Sequence, residues 1–153
     1  MYIERVQCTY PDDPYDRYWW PMNADPAWAN LSTTSTIKTG STFAVPSSIL
    51  QTAVTPYGNS TVLNVISWQD TTAKEYVVYL HFADFQSSKL REFDAYPDAN
   101  QVVSVYTPLF RAIAGEYNIT LAATANSALP PMLNAFEIYF LITYDGTTTF
   151  SKD

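Results

Sequence analysis

Residues Tyr15 to Pro21, YDRYWWP, bring four aromatic rings, one aspartate and one arginine into seven residues. Aromatic faces stack on the C–H faces of sugars while Asp16 and Arg17 hydrogen-bond hydroxyls. That chemistry makes Tyr15, Asp16, Tyr18, Trp19 and Trp20 the ligand-binding candidates. The same composition also suits a staple that fixes an extended arm to a core, with Arg17 paired to a carboxylate and Trp19 or Trp20 filling a gap between sheets. A staple requires both indoles to be mostly buried, whereas a sugar platform requires at least one to stand exposed.

The carboxylates Asp12, Asp13, Asp84, Glu92, Asp94 and Glu137 are raw material for a glycosidase, which needs two carboxyls roughly 5 to 10 Å apart. Their neighbours favour structural roles instead. Glu92 adjoins Arg91, Asp12 and Asp13 lie in a proline-flanked turn, and Glu137 sits in an apolar stretch where Arg91 or Arg111 would satisfy it. His81, the only histidine, lies in the middle of an apolar run, with too few nitrogen or sulfur ligands nearby for a transition metal and no Ser-His-Asp pattern. No loop has the dense Asp/Asn spacing of a calcium site. Neither a metal nor an organic cofactor is expected.

These side chains must be positioned by strands. In KEYVVYLHFADF, Tyr76, Val78, Leu80 and Phe82 alternate with Val77, Tyr79, His81 and Ala83, the pattern of a strand covered on both faces. NAFEIYFLITY behaves alike and reads as a second central strand, with Phe136, Ile138, Phe140 and Ile142 on one face and Glu137, Tyr139 and Leu141 on the other. Shorter strands are expected at STFAVP, TVLNVISW, REFDAYP, QVVSVY and EYNITLAAT, each bounded by Pro, Gly, Asn or Asp. No convincing helical period appears, so helix is expected only as a brief turn near SSILQTA. Many short antiparallel strands without helices imply a two-sheet sandwich, since each sheet must bury its apolar face on another layer. Pro11, Pro14, Pro21 and Pro26 oppose regular structure between Tyr10 and Ala27, so residues 1–35 are expected to form an extended arm packed on a sandwich of residues 36–145, with 146–153 as a tail. In the loop TANSALPPMLNAFEIY, Leu129 and Met132 are expected to plug the sandwich end and Asn134 to lock loop backbone.

Composition narrows the function classes. With 153 residues, 47% hydrophobic and 15% charged, the chain can bury a sizeable core as one domain. A formal net charge of −7, from 8 basic against 15 acidic residues, repels polyphosphate and anionic lipid, so nucleic acid is not an expected partner. No apolar run is long enough for a membrane span and the start lacks a signal-peptide pattern, so this segment is not expected to insert in a membrane. Cys8 is the only cysteine, which excludes an internal disulfide. The sequons NLS, NST and NIT make Asn30, Asn59 and Asn118 candidate glycosylation sites in a secreted chain.

Five separated stretches, YPDDPYDRYWWP, VPSSILQTAVTP, KEYVVYLHFADFQ, LREFDAYPD and YNITLAATANSALPPMLNAFEIYFLI, together resemble the malectin-like domains of plant receptor-like kinases, often found with leucine-rich repeats. The resemblance implies an all-β, jelly-roll-like antiparallel sandwich related to carbohydrate-binding modules, on the extracellular side of the plasma membrane. It also implies the second, membrane-proximal copy of a tandem pair, within a larger receptor that supplies the signal peptide and transmembrane helix. No ligand residues are carried over from the family. The expected function is a non-catalytic recognition module for carbohydrate, cell-wall or peptide ligands, with other ectodomain modules of the same receptor as neighbours. The alternatives are a structural spacer or dimerisation module and, less favoured, a glycoside hydrolase.

Overall fold

The structure, a computed structural model, describes residues 6–7, 12–22, 25–38, 43–58, 60–72, 74–86, 89–93, 102–112 and 115–143. Strand β1 (Val6–Gln7) pairs antiparallel with β2 (Tyr18–Trp19), and β3 (Trp28–Ser32) leads to a four-residue helix α1 (Ser47–Leu50) and then β4 (Thr52–Pro56), its antiparallel partner. Next come β5 (Val62–Gln69), β6 (Tyr76–Ala83), β7 (Val102–Tyr106), β8 (Glu116–Ala122) and β9 (Ala135–Phe140). Strand β5 pairs with β8 across a bulge between Asn64 and Ile66, while β6 lies between β7 and β9.

The sandwich follows from the alternation. Val78, Leu80 and Phe82 point from β6 into one core with Leu63 and Val65 of β5 and Leu121 of β8. The β5–β8 sheet thereby faces the β7–β6–β9 sheet, each burying the face that water would otherwise wet. Val54 of β4, Phe93 and Leu133 complete this core, and Leu133 exchanges both backbone hydrogen bonds with Val54 at 2.9 Å. A smaller cluster of Trp19, Val45, Leu50, Ala83 and Ala135 lies where the N-terminal arm meets β6 and β9. The two clusters lie on opposite sides of β6, which explains why its two faces read as covered.

Several expected elements differ. STFAVP forms no strand over its described residues: Ala44 takes a φ of 44°, outside strand geometry, and the carbonyls of Phe43 and Ala44 accept from Arg17 instead of joining a ladder. REFDAYP is described only to Phe93, which makes a single bridge to Ala123. NAFEIYFLITY does not run centrally: among the described residues β9 pairs with β6 alone, and Ile142 lies past its end with 74% exposure. The stretch read as an arm, 1–35, contributes β3, whose WANLS sequence lacks the strong alternation that marks β6. The brief helix starts after Pro46, whose φ of −57° suits the entry to a helical turn.

Asn134 ties these pieces together. Its side-chain oxygen accepts from Ala83 N–H at 2.7 Å, and its amide donates to the carbonyls of Leu50 at 2.8 Å and Thr52 at 3.0 Å. Met132 is buried as an end plug, while Leu129 is half-buried.

Candidate functional site

The turn before β2 builds an ion cluster around Arg17. Asp13 is fully buried and accepts from Tyr15 N–H, from Trp19 Nε1–H at 2.9 Å and from Arg17 Nε–H at 2.9 Å. The rest of the guanidinium fork donates from Nη1 to Glu137 Oε1 at 2.9 Å and from Nη2 to the carbonyls of Phe43 at 2.8 Å and Ala44 at 3.1 Å. One arginine thus joins the arm, the 43–44 segment and strand β9, a task its planar array of donors suits. The same guanidinium lies over the Tyr15 ring at 5.0 Å and the Trp19 ring at 4.8 Å.

Glu137 projects from the outer face of β9 and also accepts from His81 Nε2–H at 2.9 Å and from the Tyr139 hydroxyl. His81 Nδ1 pairs with the Ser104 hydroxyl at 2.7 Å, so both ring nitrogens of this fully buried residue are satisfied. Burial alone would raise the Asp13 carboxyl, but the hydrogen bonds from Arg17, Trp19 and the Tyr15 amide outweigh it and hold the group below the usual carboxylate range. Glu137 follows the same logic: burial opposes ionisation, and His81, Tyr139 and the Arg17 charge more than compensate. Burial, with the adjoining Glu137 carboxylate second, pushes the Tyr139 phenol up to about 12.

Asp13 and Glu137 share one guanidinium and both are held ionised, so neither is suited to serve as the protonated acid that glycoside hydrolysis needs at neutral pH. The expected pairing of Glu137 with Arg91 or Arg111 is corrected: its partners are Arg17 and His81, because the arm and not the following strands reaches the outer face of β9. Arg91 is instead buried beside Asp84 at 3.0 Å and donates to the Pro130 carbonyl, which fixes the Pro-Pro loop. Among the described residues no three His, Cys, Asp or Glu side chains are grouped to hold a metal.

The two adjacent tryptophans part company. Trp19 is 8% exposed, in edge contact with the His81 ring at 6.2 Å, while Trp20 is 67% exposed. Trp19 closes β2 and packs inward, whereas Trp20 lies just past the strand and faces solvent; the burial of both indoles that a staple requires holds for Trp19 only. Tyr15, Asp16 and Tyr18 are exposed as well, and Asp16 takes a φ of 51° to close the turn. The candidates therefore divide into an anchor, Trp19, and an exposed set of Tyr15, Asp16, Tyr18 and Trp20.

Beside this set lies an aromatic surface that the sequence reading did not single out. Tyr79 of β6 has its ring 5.6 Å from Tyr106 of β7, 5.7 Å from Tyr139 of β9 and 4.9 Å from Phe43. All three tyrosines occupy outward positions, and Tyr106 is 65% exposed. The available signal was tyrosine at solvent-phase positions of three strands, which requires the pairing before it can be used. A separate cleft of about 370 Å³ between the end of the β3–β4 pair and β5 is lined by Asp25, Trp28, Tyr57, Ser60 and Asn64 among others. There Asp25 is already engaged by Ala27 N–H at 2.8 Å.

Of the sequon asparagines, Asn30 on β3 and Asn118 on β8 are exposed, and Asn59 lies outside the described residues, as does Cys8. No described helix is long and apolar enough to cross a membrane.

Comparison with known proteins agrees with this architecture. The Malectin-like domain family matches residues 2–141. The chain is 29% identical over 156 residues to the Probable LRR receptor-like serine/threonine-protein kinase At1g51810 of Arabidopsis thaliana, covering 92% of this chain and 18% of that protein. It is 32% identical over 161 residues to the Probable leucine-rich repeat receptor-like protein kinase At2g28990 of the same plant, covering 94% of this chain and 18% of that protein. No solved structure matches. The chain spans less than a fifth of the length of these relatives. An all-β sandwich with its arm clamped by Arg17, matched by one family over nearly its whole length, belongs to the malectin-like domain family.

Proposed function

We propose that this chain is a non-catalytic recognition module on the extracellular side of a plant receptor-like kinase, taking a carbohydrate, cell-wall or peptide ligand on its exposed aromatic surface. The observation that carries this reading is the division of labour around Arg17. The ion cluster spends its charges on holding the arm, and the rings of Tyr15, Tyr18, Trp20, Tyr106 and Tyr139 are left accessible on a rigid support. Rigid aromatic rings give binding area at low entropic cost. The relatives, named as receptor-like kinases, support the placement in a receptor ectodomain.

A spacer reading draws on a different feature, the exposed run of Phe140 at the end of β9 with Leu141 and Ile142 beyond it, which suits packing against another ectodomain module. The test is a glycan and peptide array probed with the glycosylated domain, together with light scattering. Saturable binding that Trp20→Ala or Tyr106→Ala reduces at unchanged melting temperature supports recognition. Absence of any ligand, combined with self-association that Ile142→Glu abolishes, overturns it in favour of the spacer.

A further inference from the structure

The outer face of the β7–β6–β9 sheet differs from that of its partner sheet. On the β5–β8 sheet the outward positions are mostly polar, with Thr120 bonded to Asn64 and with the sequon residue Asn118 exposed, Val62 being the exposed apolar exception. A glycan there would cover that surface. The outer face of β7–β6–β9 carries no sequon and presents three tyrosines in a row.

Their rings do not form a flat table. The Tyr79 plane is inclined by 36° to that of Tyr106 and by 83° to that of Tyr139, so neighbouring rings meet at angles instead of sharing one plane. A pyranose stacks best on a flat ring face, whereas a polyproline II helix, with three residues per turn and no internal hydrogen bonds, inserts prolyl rings into notches between upright aromatic side chains. Two of the three rings are held in advance. Tyr79 is flanked by Phe43, and the Tyr139 hydroxyl is tied to Glu137, itself held by Arg17 and His81. Preorganisation of this kind lowers the cost of binding an extended peptide.

Charge indicates what else the peptide carries. Glu137 is neutralised within the sheet face, but the turn anchored to it through Arg17 bears the exposed Asp12 and Asp16, and the whole chain has a formal charge of −7. That rim attracts cations and repels acidic chains.

We propose that the tyrosine row Tyr106–Tyr79–Tyr139 docks a proline-rich peptide carrying lysine or arginine, in the polyproline II conformation, with the basic side chains directed to the Asp12/Asp16 turn. This inference rests on the recognition reading above and specifies its ligand and its face. The probe is a synthetic peptide of Pro-Pro pairs separated by lysine, titrated by calorimetry onto the whole glycosylated chain at low and at high salt. The expected result is saturable binding that weakens about tenfold when glutamate replaces the lysines, falls with salt, and weakens about tenfold in Tyr106→Ala without a change in melting temperature. Tyr139→Phe, which keeps the ring and removes its tie to Glu137, should weaken binding by a smaller factor. Equal affinity for a control peptide with alanine in place of proline, or undiminished binding in Tyr106→Ala, overturns the proposal. Binding of a neutral oligosaccharide that Tyr106→Ala abolishes, with no binding of the peptide, overturns the peptide and leaves recognition standing. Failure of both ligand classes on a folded chain overturns both.

Discussion

Replacing Arg17 with methionine keeps much of the aliphatic stem and removes the fork. The loss can be followed group by group. Asp13, fully buried, would keep Trp19 Nε1–H and the Tyr15 amide but lose its counter-charge, while the carbonyls of Phe43 and Ala44 would lose their Arg17 donor. Glu137 would retain His81 and Tyr139. With the Arg17 side chain 15% exposed, the pair belongs with largely buried ion pairs, for which removing one partner costs about 3–5 kcal/mol. For a chain of this size that corresponds to a fall in melting temperature of about 6–20 °C. Arg17→Lys should recover less than half of it, since an ammonium cannot reproduce the planar fork that serves two carboxylates and two carbonyls. The pH dependence supplies a sharper check. Asp13 and Glu137 both titrate below their unfolded values, so their contribution is present above about pH 4–5 and is lost as pH falls through the folded values. The gap between wild type and Arg17→Met, followed by near-ultraviolet circular dichroism during heating, should therefore be widest near neutrality and narrow toward pH 3. A variant that melts within about 2 °C of wild type at pH 7, or a gap that widens in acid, would refute the reasoning that Arg17 clamps the arm.

Asn134→Leu strands the Ala83 amide and removes donors from the Leu50 and Thr52 carbonyls, and should cost about 2–4 kcal/mol in urea denaturation; a loss under about 0.5 kcal/mol would show that water replaces the amide freely. Phe82→Ala opens the centre of the main core and should cost about 3–5 kcal/mol, whereas Trp20→Ala at its exposed position should cost under about 1 kcal/mol, and the two measured together separate buried from exposed ring positions. Expression through a plant or insect secretory route should give a product that shrinks on endoglycosidase treatment, with Asn30→Gln and Asn118→Gln each removing one step; a band unchanged in both variants would remove these two positions from the glycosylated set.

The main strands were legible because their signal is local. In β6 every second residue from Tyr76 to Phe82 is large and apolar, and in β5 Leu63 and Val65 repeat the pattern, so period two alone locates them. Strands β3 and β4 were not legible because WANLS and TAVTP become strands by pairing with each other, register Trp28 to Pro56 through Ser32 to Thr52, and a contact between residues twenty or more positions apart leaves no local trace. STFAVP failed for the opposite reason. Its composition is that of a strand, but two of its carbonyls are claimed by Arg17, and a long-range ion cluster outranks local propensity.

The site shows the same split at finer scale. That Arg17 would find a carboxylate was foreseeable from chemistry, since a buried guanidinium must be paired. That one of its carboxylates is Glu137, 120 positions along the chain, was not, and the residue chosen matters for function. Had Glu137 been paired by Arg91 from the 91–93 segment, the arm would have had no purchase on β9 through this carboxylate. Because Arg17 reaches Glu137 from the arm, the bond that holds the arm down also holds the Tyr139 hydroxyl in place. Stability of the arm and rigidity of the aromatic face are thus coupled through one carboxylate. A perturbation at Arg17 should therefore loosen the ligand surface as well as the fold, while a perturbation at Tyr106, which shares no atom with the cluster, should affect the surface alone.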